Sequence, residues 1–485
     1  MKKNTKILFG LSLTALTLFS CGGGSSSPEA ISSPEKTLDE AQMAPYIEGM
    51  RLANLDAVYG NIYLPEESNG KTITWTSSDP TIISDKKEGN AAPGVVTRKA
   101  EDAQVEMTAS IEIDGVKGYF KQTVTVKGLS KTLTDDDYEG YLFGHFIGEG
   151  NENEEQIYFA LAEDGLNFKD MNGKQPVLKS DLGEKGVRDP YICRSPEGDR
   201  FFLIATDLSI YHRGGWKKNA QGYYDPSTTG SHNLVLWQSY DLVNWGEPTL
   251  LPVAPENAGM AWAPEMIFDE DSGNYIIFFA SSIMNTETLY KDKPNAIYYC
   301  ATRDFVHFSD TSLLIDNQTD PDGKAREIID TTILKVGDYY YSASKDGDNA
   351  EANGGIRLMR SRTLLDKDAW EKVLDLDELG LQLSTKGNKA LDNSTLEGPE
   401  FFVYNKKDRV DPNVPEYGLM ADQYAANAGY LPLRTTDLED RTNANSSWSI
   451  LSSNQYSFDQ LRKRHGTILR VTKDEIERIK ENFPI

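Results

Sequence analysis

Four carboxylates stand at the head of strand-like stretches in this chain. They are Asp189 in Gly-Val-Arg-Asp-Pro-Tyr-Ile (186–192), Glu265 in Ala-Trp-Ala-Pro-Glu-Met (261–266), Asp330 in Ile-Ile-Asp-Thr-Thr-Ile (328–333) and Glu397 in Leu-Glu-Gly-Pro-Glu-Phe (396–401). Carboxyl groups gathered in one pocket have a short repertoire. One, kept protonated, hands a proton to a leaving oxygen. One, kept ionised, activates water. A third beside the acid raises its pKa by like-charge repulsion. That division of labour suits cleavage of the acetal between two sugars. Neither a Cys/His metal spacing nor a Gly-rich phosphate loop accompanies the four. An isolated Asp-Pro pair is most often a turn, so the chemistry depends on a scaffold that holds the carboxylates in phase.

A repeat supplies that scaffold. A turn residue followed by an apolar residue and an aromatic recurs as Asp164 to Phe168, Asp241 to Trp245 and Asp304 to Phe308, with looser copies ending at Trp370 and Trp448. The spacings between the aromatics are 77, 63, 62 and 78 residues. An alternating apolar strand precedes each copy, at 157–162, 234–239, 297–302, 356–361 and 431–436. Five strand–turn–aromatic units predict five four-stranded blades of a β-propeller. The expected inner strands are 141–147, 189–193, 265–268, 330–334 and 397–403, and four of the five open on a carboxylate. Residues 467–471 are expected to add a last strand to the first blade, and 473–482 a final helix. Pro190 biases Asp189 toward extended backbone. It also fits an innermost strand, which has one unpaired edge.

The rest of the chain sets the address. The length of 485 residues calls for more than one domain, and the formal net charge of −25 excludes nucleic acid as a partner. Lys2, Lys3 and Lys6 followed by an apolar run to Phe19 predict a signal peptide over 1–20. Leu18-Phe19-Ser20-Cys21 resembles a bacterial lipobox, which makes Cys21 the expected lipidation site and 21–36 a lipidated tether. Membrane contact would then run through that anchor alone, and the expected location is the bacterial cell envelope, periplasmic or on the outer surface. Cys193 and Cys300 are expected to be buried thiols rather than a disulfide. A helix over 37–50, capped by Thr37, is followed by short strands at 72–76, 94–96, 105–113 and 119–126. This reads as a small β-sandwich over 37–128. Its Trp75-Thr-Ser-Ser-Asp-Pro segment resembles bacterial immunoglobulin-like domains found beside secreted glycosidases.

The propeller region, 136–485, resembles glycoside hydrolase family 43 through the four carboxylate motifs, which come in that family's order. The resemblance implies a five-bladed propeller and an inverting glycosidase acting on arabinose- or xylose-containing glycans. It implies Asp189 as general base, Asp330 as pKa modulator and Glu397 as general acid. In two respects the chain departs from the family pattern: a whole blade precedes the base, and the Asp-Pro of the modulator is Asp330-Thr331 here.

Further sugar-contacting candidates are Trp262 as a stacking platform, Glu265 as a fourth channel carboxylate, Phe143 and His145 on the first blade, and Arg357 and Asp422 on later strands. Strand alternation predicts that Arg188 points away from the channel and leaves the base unneutralised. No cofactor is expected to be required. A structural calcium in the channel, held by His145 as a histidine does in some relatives, is a further implication of the resemblance. The expected activity is an exo-acting α-L-arabinofuranosidase, with β-xylosidase and endo-arabinanase or galactanase as alternatives within the family. A non-catalytic glycan-binding lipoprotein is the alternative outside it.

Overall fold

In the computed structural model the described residues are 36–316, 327–346, 355–379, 385–386, 389–390, 396–424, 428–440 and 447–485. Cys21 lies outside them. None of the helices among them is long and apolar enough to cross a membrane.

The propeller has five four-stranded antiparallel sheets. Blade II runs from the inside outward through Val187–Arg194, Phe201–Asp207, Asn233–Ser239 and Thr249–Pro252. Blades III, IV and V begin on Trp262–Asp269, Ile328–Val336 and Glu397–Val403. Blade I differs. Its innermost strand is the C-terminal Gly466–Thr472, and Tyr138–His145 is second. The expectation that 141–147 is an inner strand is therefore corrected: the closing strand takes the channel side and displaces it outward. Gly466–Thr472 touches the inner strands of both blade II and blade V, so the chain's last strand joins the two ends of the propeller.

The recurring aromatic motif is the turn between the third and fourth strands of each blade. In each of the three close copies an aspartate folds back onto the turn. The Asp241 carboxylate accepts from the backbone of Val243 and Asn244, and Asp304 accepts from Val306 and His307. Asp164 does the same for Leu166 and Asn167. Such Asx turns tolerate a left-handed residue next to the aspartate, here Gly165, Leu242 and Phe305. The apolar faces of the strands then fill the space between blades, as between Val235, Trp237, Phe159 and Leu161. Cys193 and Cys300 are buried and free, and burial pushes both thiols up to about 12.

Before the propeller lies a small β domain. Its sheet is Thr74–Ser77, Ala103–Ile113 and Val116–Val126, with a separate two-stranded ribbon at Glu67–Ser68 and Lys71–Thr72. The expected strand at 94–96 is only a bridge between Ile83 and Val96. The helix is Glu40–Ile47, capped by Asp39 with Gln42 rather than by Thr37. The domain docks on blades II and III through two arginines. Arg98 donates to both oxygens of Asp199, at 2.9 and 2.7 Å. Arg303 reaches back to the carbonyls of Ile62, Ala92 and Pro93. The C-terminal helix Lys473–Asn482, capped by Thr472, packs on the first two strands of blade I, and its Glu475 pairs with Arg194 at 2.6 Å.

Candidate active site

An irregularity shared by four inner strands builds the site. Asp189, Ala263, Asp330 and Gly398 all have left-handed backbone, with φ of 49, 45, 50 and 53°. At each the pairing with the second strand slips by a residue. Proline follows the bulge in three blades (Pro190, Pro264, Pro399) and Thr331 in the fourth. Proline fits because a bulged residue on the channel edge has no ladder bond to donate. Extended backbone at Asp189, expected from Pro190, is thus corrected: the bulge overrides the local preference.

The bulge turns backbone amides sideways, toward the preceding blade. The Gly398 N–H donates to Asp330 Oδ2 at 3.1 Å. The Ala263 N–H donates to Thr206 Oγ1 at 2.7 Å, and that hydroxyl donates to Asp189 Oδ2 at 2.9 Å. Asp330 is therefore held directly by the next blade, and Asp189 through Thr206 of its own blade, which the next blade fixes, so both positions depend on the assembled ring. From blade I comes His465. Its Nδ1 lies 3.4 Å from Asp189 Oδ1 and 4.0 Å from Asp330 Oδ2. A Cβ on Gly398 would stand 2.8 Å from the His465 ring, so glycine leaves the room the imidazole occupies.

Glu397 precedes its bulge and accepts from Arg464 at 2.8 Å. Arg464 also donates to Asp422 Oδ2 at 2.6 Å. The side chains of Asp189, Asp330 and Glu397 keep 16, 13 and 22% exposure, enough to meet a ligand from the channel mouth.

Their environments separate them chemically. Burial pushes Asp189 up, but the His465 imidazole, the Arg188 charge and the Thr206 hydroxyl outweigh it and hold the carboxyl below its ordinary range. Burial, then the charge of Asp189, pushes Asp330 up against the pull of His465. Burial, Asp330 and Asp422 together raise Glu397 to about 8, against Arg464 and Arg188. His465 rises to about 9: burial disfavours its charge, but Asp189, Asp330 and Glu400 favour it more. Near neutral pH the ring thus offers an ionised Asp189, a protonated Glu397 and an imidazolium between two aspartates.

A second layer lies two residues deeper along each strand, at Tyr191, Glu265, Thr332, Glu400 and Thr467. Glu265 and Glu400 share a hydrogen bond, and burial raises Glu265 well above its ordinary range and Glu400 to about 7. The Ile468 N–H donates to Glu400 at 3.0 Å. Glu265 is only 4% exposed, so its expected role as a sugar-contacting carboxylate is corrected: it is a buried partner of Glu400 beneath the ring.

The remaining candidates scatter. Trp262 opens the inner strand of blade III at the channel mouth, with Trp216 perpendicular to it at 6.1 Å. Asp422 is fully buried behind Arg464, so it acts on Glu397 through charge and not by touching a ligand. Arg357, on the third strand of blade IV, is ion-paired with Asp346 and Asp375, both at 2.9 Å. Phe143 is enclosed by Phe168, Tyr430 and Phe458. His145 is fully buried as well, stacked on Tyr158 with Nδ1 3.1 Å from the Phe146 carbonyl. Neither Phe143 nor His145 reaches the channel, because their strand is second in its blade. Burial, then the Lys463 charge, keeps the His145 ring neutral, and that same charge beside it, with a hard cation's preference for oxygen ligands, makes His145 a poor calcium ligand. No group of three or more His, Cys, Asp or Glu with metal-holding geometry occurs among the described residues.

Sequence reasoning missed His465, Arg464, Thr206 and Glu400. A signal existed for two of them: Lys-Arg-His (463–465) is a cationic triplet in an acidic chain, placed directly before the closing strand. Arg188 was expected to leave the base alone. Its guanidinium instead lies over Phe146 and Trp216, at 4.7 and 5.5 Å, and its charge reaches both Asp189 and Glu397. The bulge at Asp189 breaks the alternation on which that expectation rested.

Comparison with known proteins adds lineage to this geometry. Residues 136–477 match a family described as a probable glycosyl hydrolase domain, related to family 43, and residues 39–129 match the atrophied bacterial Ig domain. The chain is 30% identical over 427 residues to an α-L-arabinofuranosidase of Bifidobacterium longum subsp. longum, an alignment covering 78% of this chain. It spans 38% of that relative's length. Among solved structures, a thermostable family-43 glycoside hydrolase aligns with a TM-score of 0.40 and 11% identity, over 76% of this chain and 94% of that one. An α-L-arabinanase of Cellvibrio cellulosa, complexed with arabinohexaose, aligns with a TM-score of 0.37 and 13% identity, over 69% of this chain and 99% of the other.

Proposed function

The chain belongs to the family of probable glycosyl hydrolase domains related to glycoside hydrolase family 43, and from that premise we propose that it is an exo-acting, inverting glycosidase that releases α-L-arabinofuranose from plant-type glycans. The observation that carries this reading is the opposite displacement of two carboxyls in one ring, Asp189 downward and Glu397 up to about 8. A glycosidase needs that pair: an ionised base and a protonated acid at the same pH.

The steps follow from the environments. Glu397, protonated, gives its proton to the glycosidic oxygen as the bond to the anomeric carbon stretches. Asp189, ionised, takes a proton from a water on the opposite face of the sugar, and that water forms the new bond. Configuration inverts because water enters opposite to the leaving group. Asp330 serves by charge, raising Glu397, and by orienting with His465 the face of the ring near Asp189. His465 and Arg464 offset the repulsion among the acidic groups without forcing Glu397 to ionise. The choice of arabinofuranose follows the name of the Bifidobacterium relative.

The test is hydrolysis of nitrophenyl α-L-arabinofuranoside and β-D-xyloside, with the product's anomeric form followed by proton NMR. Turnover of the arabinofuranoside with inverted product, lost in Asp189→Asn, is the expected outcome, with Glu397→Gln losing hydrolysis of natural glycans, whose poor leaving groups need the acid. Retention of configuration would overturn the mechanism, and turnover of the xyloside alone would overturn the substrate. We also propose lipid attachment at Cys21 and a cell-envelope location. Labelling of the wild type but not of Cys21→Ala by a fatty-acid analogue is the expected result.

A further inference from the structure

Among the described residues of the propeller the exposed large aromatics are Tyr211, Trp216, Tyr224, Tyr240, Tyr290 and Tyr424, and three of them stand together. Trp216 is 40% exposed, Tyr224 42% and Tyr290 54%, and all three belong to two neighbouring loops at the channel mouth. The loops touch: the Gln221 side chain donates to the Thr288 carbonyl, and Tyr223 meets Tyr290 at 6.3 Å. Trp216 links this cluster to the ring. It lies 5.7 Å from Tyr224 and 6.1 Å from Trp262. Its indole N–H donates to Glu149, at 3.1 Å to the nearer oxygen, and its face lies 5.5 Å from the guanidinium of Arg188, the residue before Asp189. Trp262, Trp216 and Tyr224 thus form one run of rings beginning on the inner strand of blade III, and the Tyr223–Tyr290 pair lies beside it on the two touching loops.

The loop that carries it is built rigidly. Residues 210–213 form one helical turn that ends on Gly214 in the left-handed conformation, φ 74°, which frees the chain to turn and present Trp216. A hairpin then returns, with Asp225 N–H donating to the Lys217 carbonyl at 2.7 Å and Asn219 N–H to the Tyr223 carbonyl at 2.8 Å. Arg213 clamps its base, donating to both oxygens of Glu184, to Asp225 and to the Thr229 carbonyl. Lys218 and Lys291 each lie against a tyrosine ring, at 4.9 Å from Tyr224 and 5.1 Å from Tyr223. An exposed apolar patch held in place this way, and continuous with a catalytic pocket, marks a binding surface.

We propose that Trp216, Tyr224, Tyr223 and Tyr290 form a platform for the main chain of a neutral glycan, on the leaving-group side of the bond to be cut. The inference rests on the glycosidase reading. Sugar rings offer flat C–H faces to aromatic faces, and tyrosine hydroxyls at the rim meet sugar hydroxyls. A chain with net charge −25 disfavours a polyanionic backbone. The substrate class that follows is a side-chain sugar on a polymer, not a free disaccharide. The platform contributes to holding the polymer and not to the bond-breaking step.

The experiment compares the full chain with Tyr224→Ala, Tyr290→Ala and their double variant, residues outside the catalytic ring. On nitrophenyl α-L-arabinofuranoside, which has no main chain, kcat/KM is expected to stay within about twofold; that also shows the variants are folded. On arabinoxylan and branched arabinan the double variant is expected to lose about tenfold or more in kcat/KM, chiefly through KM. Equal losses on both kinds of substrate, or none on either polymer, would overturn the proposal. Calorimetric titration of xylo-oligosaccharides and arabino-oligosaccharides into the Glu397→Gln background separates the two readings. If the wild type turns over no pentoside, the activity reading fails. The platform then still stands if Tyr224→Ala and Tyr290→Ala weaken oligosaccharide binding, and falls if binding is absent or unchanged.

Discussion

Replacing Glu397 by glutamine should abolish hydrolysis of natural glycans and, at alkaline pH, make the protein more stable. In the folded chain Glu397 is raised from 4.5 to about 8, first by burial and then by Asp330 and Asp422. Between those two values the folded state binds more protons than the unfolded state. Stability therefore falls as pH rises through that window, and the contribution of the neutral acid is complete only below about 4.5. The ceiling is about 5 kcal/mol, at about 1.4 kcal/mol per pH unit. The side chain keeps 22% exposure, and water reaching it halves that figure to roughly 2–3 kcal/mol. Glutamine removes the titration while keeping the shape, and Arg464 retains Asp422. The difference in melting temperature, variant minus wild type, should thus be near zero at about pH 5 and positive by several degrees at about pH 8.5. The same proton shows in kinetics. Wild-type kcat/KM should fall above about pH 8, and this limb should vanish in Glu397→Gln assayed on a nitrophenyl glycoside, whose leaving group needs little protonation. A stability difference that does not change with pH would falsify the assignment of Glu397 as the proton-holding carboxyl.

Other substitutions probe the neighbouring contacts. Asp189→Asn should lower turnover by roughly 10³-fold while oligosaccharide affinity, read by calorimetry, stays within a few-fold. His465→Gln removes the cation 3.4 Å from Asp189, so the acid limb of kcat/KM should move to higher pH by about one unit; an unmoved limb argues that His465 is only a spacer. Gly398→Ala puts a methyl 2.8 Å from the His465 ring at a backbone φ of 53°, and should cost about 1–3 kcal/mol in denaturant unfolding together with a drop in kcat. Arg98→Ala breaks a guanidinium that is 2% exposed and paired with Asp199, and should split thermal unfolding into two transitions while leaving kcat on the aryl glycoside unchanged.

Much of this architecture was legible from the chain alone, for reasons that can be named. The third strand of each blade could be located because strand alternation and an Asx turn are local properties, as at 234–239 followed by Asp241. The final helix expected over 473–482 is found there, Lys473–Asn482 capped by Thr472. Blade I was misread where non-local pairing decides: 141–147 has the apolar content of an inner strand, but Gly466–Thr472 outcompetes it for the channel side. Phe143 and His145 were assigned to the channel through the same error. Glu265 was placed level with Asp189 because both begin an apolar run, whereas the bulge in blade III falls on Ala263 and drops Glu265 one layer.

The sequence by itself determined the inventory: five blade units, and the carboxylates Asp189, Asp330 and Glu397 at the heads of inner strands. Side-chain type and spacing carry that information, because strand period and turn chemistry are set by near neighbours. Only the tertiary structure decided which carboxyl keeps its proton. That depends on Arg464, His465 and Asp422, which lie 67, 135 and 25 residues in sequence from the carboxyls they touch or act on (Glu397, Asp330 and Glu397). It depends equally on bulge amides donated by the neighbouring blade, as Gly398 to Asp330. Burial and charge act through space, so the division into acid and base exists only once the blades have met.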